Sequence, residues 1–289
     1  MTLRTQTGVL ARAQWLVQNN RSIPNAAHRT FGRFSEVGTE PFLDPGQFPW
    51  TALLEQHYPA IRAEAERVLQ VRDALPNFQD IAPNLIDLSD DDQWKTFWFV
   101  GYDVWDHPNC LRCPATAAVL RAIPGVVTGF FSILGPGKRL PPHYGPYRGV
   151  LRHHLALIVP EPRDKCGIRV DDQTRHWTEG QSLVFDDTYE HEAWNDTDGE
   201  RIVLFLDIKR PLRPPMNRIN DGIIKAVSKS PFITTARAQH VAREEQFSAA
   251  WDAVVGAPGS APVSGRGEDG FAQRSARGLT HCPLDRHRR

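Results

Sequence analysis

The sequence predicts a mainly β protein, a double-stranded β-helix (a cupin-like jelly roll) with flanking α-helices, on three observations. From Val126 to Ile208, short β-branched and aromatic runs are separated by Gly, Pro and Asp turns, as in a sandwich or barrel and unlike alternating β and α units. Before and after that stretch, apolar residues recur at three- and four-residue spacing, the period of an amphipathic helix. Hydrophobic residues make up 40% and charged residues 24% of the 289, enough apolar mass for a packed core.

The elements follow in order. Residues 1–40 are polar and weakly patterned and are expected to form an N-terminal arm. A domain over 41–212 starts with the turn-rich FLDPGQFPW segment, Phe42 to Trp50. A single helix is expected next, because Leu53, Leu54, His57, Ile61, Ala65, Val68 and Leu69 share one face. Pro76 to Pro83 breaks it, and the aromatic run Trp94–Tyr102 reads as a strand. Thr116–Ile123 is a short helix closed by Pro124 and Gly125. The strands expected beyond it are Val127–Leu134, Leu151–Val159, Gly167–Val170, Ser182–Phe185, His191–Asn195 and Arg201–Ile208. RPLRPP at 210–215 ends the β region. A helical extension over 213–256 follows, with one helix through Met216, Ile219, Ile223 and Val227 and another over Ala238–Val255. Residues 257–289, rich in Gly, Ser, Pro and Arg, are expected to be disordered.

Charge and cysteine usage narrow the function classes. Lys+Arg and Asp+Glu both number 34, a balance that gives no support to nucleic-acid binding. No apolar run approaches the roughly 18 residues of a membrane span, and Met1–Asn20 lacks a signal-peptide core. A cytoplasmic protein is expected. The Met216–Val227 helix could touch a membrane surface, but packing against the barrel is the preferred reading. Cys110 and Cys113 form a lone CxxC with no second ligand pair nearby, which reads as two reduced thiols near a helix start.

Two segments carry the chemistry: SILGPGKRLPPHYGPYRGVLRHHLALIV from Ser132, and WTEGQSLVFDDTYEHEAWNDTDGERIVLFLDI from Trp177. Each holds a histidine where a jelly roll presents side chains at its open end, His143 in a PPHYGP turn and His191 at a strand start. Arg201 follows on the next strand, and a buried arginine aimed at a metal site is suited to bidentate capture of a carboxylate. Arg152 and His154, two apart on a strand, share a face expected to point inward, whereas His153 points the other way as a surface or packing histidine. Asp186 and Asp187 on their own read as turn residues.

The motifs HYGPYRGVLRHHLALIVP and HWTEGQSLVFDDTYEHEAWND resemble the aspartyl/asparaginyl β-hydroxylase family, from about Phe48 to Pro211. The resemblance implies a dioxygenase that uses Fe(II), 2-oxoglutarate and O2 to hydroxylate an unactivated C–H bond. It implies His143 and His191 as iron ligands, and Ser132 and Arg201 as holders of the distal carboxylate of 2-oxoglutarate. Arg152 and His154 then face the reacting centre, and Asp187 bonds a metal-bound water. Gly145 stands where the usual two-His, one-carboxylate triad has its acid, leaving a coordination position open, a gap the family shares. Phe130 and Val150 replace basic residues that grip an acidic peptide in the peptidyl-aspartyl branch. The local sequence is nearer the lipid A acyl-chain hydroxylases, so a lipid acyl substrate is favoured slightly over an aspartyl or asparaginyl one. A non-catalytic metal-binding cupin-like protein and a halogenase are the alternatives.

Overall fold

A computed structural model describes residues 22–81 and 88–256. The expectations for 257–289 and for the first half of the N-terminal arm lie outside them. Eleven strands form two antiparallel sheets among the described residues. The larger sheet holds β1 (Phe42–Leu43), β2 (Trp94–Gly101), β3 (Val104–Trp105), β4 (Val126–Leu134), β6 (Val150–Ile158), β9 (Ser182–Phe185) and β11 (Arg201–Lys209), in the order β1-β9-β6-β11-β4-β2-β3. The smaller sheet, β5-β10-β7-β8, is built from β5 (Arg139–His143), β7 (Cys166–Val170), β8 (Gln173–His176) and β10 (His191–Asn195). From β4 to β11 the chain is dealt between the sheets so that the first and last of these strands pair, which is the double-stranded β-helix the sequence predicts.

The alternation of β11 shows how the fold is specified. Ile202, Leu204, Leu206 and Ile208 join a core with Leu54, Ile61, Val68, Leu120, Phe247 and Trp251 from the helices. Val203 and Phe205 point the opposite way, into a second core with Leu140, Ile168, Val170 and Ala193 of the smaller sheet. A strand buried on both faces reads as a continuous apolar run, and the few polar residues on the inward face, Arg201 and Asp207, need another explanation. Register fixes their depth: Arg201 lies opposite Leu134, Val203 opposite Ser132, Phe205 opposite Phe130 and His154, and Asp207 opposite Arg152.

The helices differ in detail from the expectation. Ser22–Phe34, in the stretch expected as a weakly patterned arm, is helical (α1), and Phe31 packs on Leu212, Met216 and Tyr147. Phe31 and Phe34, which packs on the same cluster, make only one helical repeat, too short a period to find in sequence. The predicted 53–69 helix is two, α2 (Pro49–Gln56) and α3 (Tyr58–Leu69), broken at His57 because Pro59 lacks an N–H and crowds the preceding turn. Short α4 (Phe78–Ile81) and α5 (His107–Arg112) were not expected, while α6 (Pro114–Ala122) was. Buried Glu64 of α3 caps α6 from outside, accepting from the N–H groups of Ala115 and Thr116 at 2.8 Å each. Cys110 and Cys113 are both buried and unbridged. α7 (Met216–Ser228) lays Met216, Asn220 and Ile224 on the domain, and α8 (Pro231–Val254) starts earlier than expected, at the Ser230 cap. No helix among the described residues is long and apolar enough to cross a membrane.

His153 faces the helical side, fully buried and edge-on to Trp50 at 5.0 Å, with neither ring nitrogen hydrogen-bonded. Burial holds its pKa down to about 3. The unfolded chain therefore takes up a proton near pH 6.5 that the folded one refuses. Stability is complete above that pH and falls as pH drops toward 3, by about 1.4 kcal/mol per unit for this one group. His153→Phe keeps the ring, removes both orphan nitrogens, and should raise stability at pH 5 by about 1–2 kcal/mol. Denaturant unfolding at pH 5 and 7.5 checks it. The variant should lose one proton's worth of slope, and equal slopes in both proteins would refute the claim.

Candidate active site

His143 does not sit in a turn, as expected, but ends β5, directly opposite His191 at the start of β10. The register slips between them and Ala193, where Pro141 and Pro142 cannot donate to the ladder. The two rings lie 4.0 Å apart between centroids, at 51°. Each turns Nδ1 to the carbonyl two residues back, Pro141 O at 2.7 Å and Tyr189 O at 3.0 Å. With Nδ1–H donating there, the Nε2 lone pair is left for a metal, and Nε2 of His191 is buried without a partner. Burial lowers the pKa of His143 to about 4 and that of His191 well below its usual value, so both rings are neutral at pH 7.

Asp187, 1% exposed, lies beside this pair in the β9–β10 turn. Its main-chain carbonyl accepts from Gly145 N at 2.7 Å. A Cβ on Gly145 would fall 2.1 Å from Asp187 Oδ2, so the missing side chain at 145 and the carboxylate at 187 fill one space. Burial pushes the Asp187 carboxyl up to about 7 against the pull of Arg152, whose Nη2 stands 2.9 Å from Oδ2. Asp187 does not join the two histidines as a trio at direct ligand spacing. Among the described residues the trio that does is Asp106, His240 and Glu244. There Asp106 caps α5 through Asn109 N at 2.7 Å and Glu244 pairs with Arg112 at 2.8 Å.

Arg201 lies deeper, on the same inward stripe of β11. It is 2% exposed, its Nε and Nη1 have no hydrogen-bond partner, and among the described residues it has no ion-pair partner. Burial brings its pKa down to about 10, still charged at neutral pH. Ser132, on β4 opposite Val203, accepts from Trp94 Nε1 at 3.0 Å, which leaves its hydroxyl hydrogen free to donate. Between Arg201 and the histidine pair stands His154, fully inward, with both ring nitrogens unpartnered.

The substrate-side residues separate. Phe130 is a wall, 1% exposed and stacked between Trp98 at 4.3 Å and Phe205 at 4.4 Å. Val150 is half-buried at the start of β6, paired with Lys209. Arg152 does turn inward, but it is already engaged: Asp187 takes Nη2 and Asp207 takes Nε at 3.0 Å, over the face of Phe205. Asp207 escaped the sequence reading although its period-two spacing from Arg201 puts it on the inward stripe. Tyr102 also escaped it. With Asp103 it occupies the left-handed region (φ 49° and 66°) at a hairpin tip, and burial and Asp207 push its phenol to about 12. Asp186, read as a turn residue, is a buried knot holding Arg148 and Arg210.

Comparison with known proteins bears on the same residues. The aspartyl/asparaginyl β-hydroxylase family matches residues 55–211. The ornithine lipid ester-linked acyl 2-hydroxylase of Rhizobium tropici is 47% identical over 226 residues, 78% of this chain and 80% of that protein. The aspartyl/asparaginyl β-hydroxylase of Mus musculus is 33% identical over 199 residues, 66% of this chain, which spans 26% of that longer protein. Among solved structures, the cupin domain of Schizosaccharomyces pombe Cnp3 aligns with 44% of this chain and 71% of its own, at 8% identity and a TM-score of 0.29. With more than half its residues inside the family match and a relative of 47% identity along most of its length, the chain belongs to the aspartyl/asparaginyl β-hydroxylase family.

Proposed function

We propose that this protein is an Fe(II)- and 2-oxoglutarate-dependent hydroxylase that acts on a lipid acyl chain. One observation carries the proposal. Buried polar atoms without partners are rare and each costs about 1–3 kcal/mol, yet here several belong to one group of inward-facing neighbours: His191 Nε2, both nitrogens of His154, Asp187 Oδ1, and Nε and Nη1 of Arg201. A neutral imidazole pair beside a carboxylate suits a divalent transition metal, and a guanidinium with two idle N–H groups suits a carboxylate. A metal chelated by a five-carbon keto diacid satisfies both ends together.

His143 and His191 would hold the iron, and Arg201 with the Ser132 hydroxyl would hold the far carboxylate. His154 would meet the inner one, and Asp187 would accept from a metal-bound water. Bound iron(II) with the keto acid supplies the oxidising power to insert one atom of O2 into an unactivated C–H bond. Two features favour an acyl chain over an acidic peptide. Arg152 is flanked by two carboxylates and is not idle, and the Phe205 ring beneath it belongs to an aromatic stack with Phe130 and Trp98. The lipid-acting relative points the same way.

The purified protein with iron(II) should convert 2-oxoglutarate to succinate, and lipid extracts incubated with it should gain one oxygen on an acyl chain, read by mass. Metal binding without any 2-oxoglutarate consumption would reduce the protein to a binding module. An oxygen found on aspartyl residues instead would refute the acyl assignment, and a chlorinated product would make it a halogenase.

A further inference from the structure

One more buried donor lies against this cluster without a partner. Trp177, between β8 and β9, is 1% exposed, and its Nε1–H meets no acceptor. Buried tryptophans ordinarily satisfy that N–H, as Trp94 and Trp98 do here by donating to the hydroxyls of Ser132 and Thr96 at 3.0 Å. The Trp177 ring lies 4.8 Å beneath the Arg201 guanidinium and 6.0 Å from the His154 ring, at 30° to it. Three neighbouring side chains thus carry orphan donors, and the indole stands between the other two. Each orphan alone is unfavourable, and one shared acceptor would remove all three costs together.

Resting on the 2-oxoglutarate reading above, we propose that Trp177 is a further binding residue of the dicarboxylate site, its indole N–H donating to the carboxylate that Arg201 captures. Its ring face also bears the guanidinium and keeps the fork flat toward the ligand. The two parts of this role separate chemically: a phenyl ring retains the face and lacks the donor.

In protein loaded with manganese(II), calorimetric titration should show Trp177→Phe binding 2-oxoglutarate and succinate about tenfold more weakly than wild type, the scale of one hydrogen bond to a charged acceptor. Its affinity for manganese itself should be unchanged. Equal affinities for 2-oxoglutarate in the two proteins would overturn the donor role while leaving the hydroxylase reading intact. A loss for 2-oxoglutarate but not for succinate would move the donor away from the distal carboxylate and overturn the assignment. Failure of the wild-type protein to bind 2-oxoglutarate would overturn both readings. Should the variant not fold, the wild-type protein gives a second readout. Of the indole N–H signals of its eight tryptophans, one should move downfield when 2-oxoglutarate joins the zinc-loaded protein, and no movement would overturn the proposal.

Discussion

Arg201→Met is expected to stabilise the ligand-free protein and at the same time to abolish its response to 2-oxoglutarate. The two effects share one cause. Arg201 is 2% exposed with Nε and Nη1 unpartnered and lies over Trp177, so the folded ligand-free state carries a buried cation with no ion-pair partner among the described residues. A buried charge without a partner costs several kcal/mol, and an apolar residue of similar length often improves on it. Methionine should therefore raise the unfolding free energy by about 1–3 kcal/mol. Its effect on binding should be larger and opposite: losing two charge-assisted hydrogen bonds, at about 1.5–3 kcal/mol each, weakens 2-oxoglutarate about 100- to 10,000-fold. Thermal unfolding with and without 2-oxoglutarate, in manganese-loaded protein, separates the two. Wild type should melt higher with ligand because binding favours the folded state, whereas the variant should melt high and stay there. A variant that melts well below wild type without ligand would mean that Arg201 supports the fold through a partner in the apo state.

The strands and their inward faces were legible because period-two alternation survives burial: Arg201, Val203, Phe205 and Asp207 fall on one face of β11, and Arg152 and His154 on one face of β6. Partners were not legible. Nothing in the sequence says that Arg152 meets Asp207 across two strands, or that Trp94 and Trp177 close on Ser132 and Arg201, since these contacts depend on register. β5 was missed because Pro141 and Pro142 argue against a strand, yet the irregularity they impose is where His143 is set against His191. Gly145 reads in sequence only as a missing acid. In the structure it is what lets a carboxylate from the distant 187 position lie against the same backbone.

That position depends on the residue before it, and Asp186→Asn is expected to be the most destabilising conservative change in the β9–β10 turn. Asp186 is fully buried, accepts from Thr188 N at 3.1 Å, Thr188 Oγ1 at 2.5 Å and Arg210 Nη2 at 2.5 Å, and forms an ion pair with Arg148, whose Nε donates to Thr188 Oγ1 at 3.0 Å. Arg210 in turn donates to Gly38 O at 3.0 Å and Arg148 O at 2.8 Å, tying the segment before β1 and the entry to β6 to the end of β11. An amide keeps the shape but removes the charge, leaving Arg210 buried without compensation. Breaking a buried pair in this way costs about 3–5 kcal/mol, or roughly 10 °C in melting temperature for a domain of this size. The double variant Asp186→Asn with Arg210→Met should recover part of the loss, because both uncompensated groups leave together. Because Asp187 hangs from the same turn, the single variant should also bind manganese more weakly than wild type even where it remains folded. A melting temperature within about 2 °C of wild type, corresponding to under about 1 kcal/mol, would show that Arg148 and Arg210 find other acceptors and that the turn is not held by its charge.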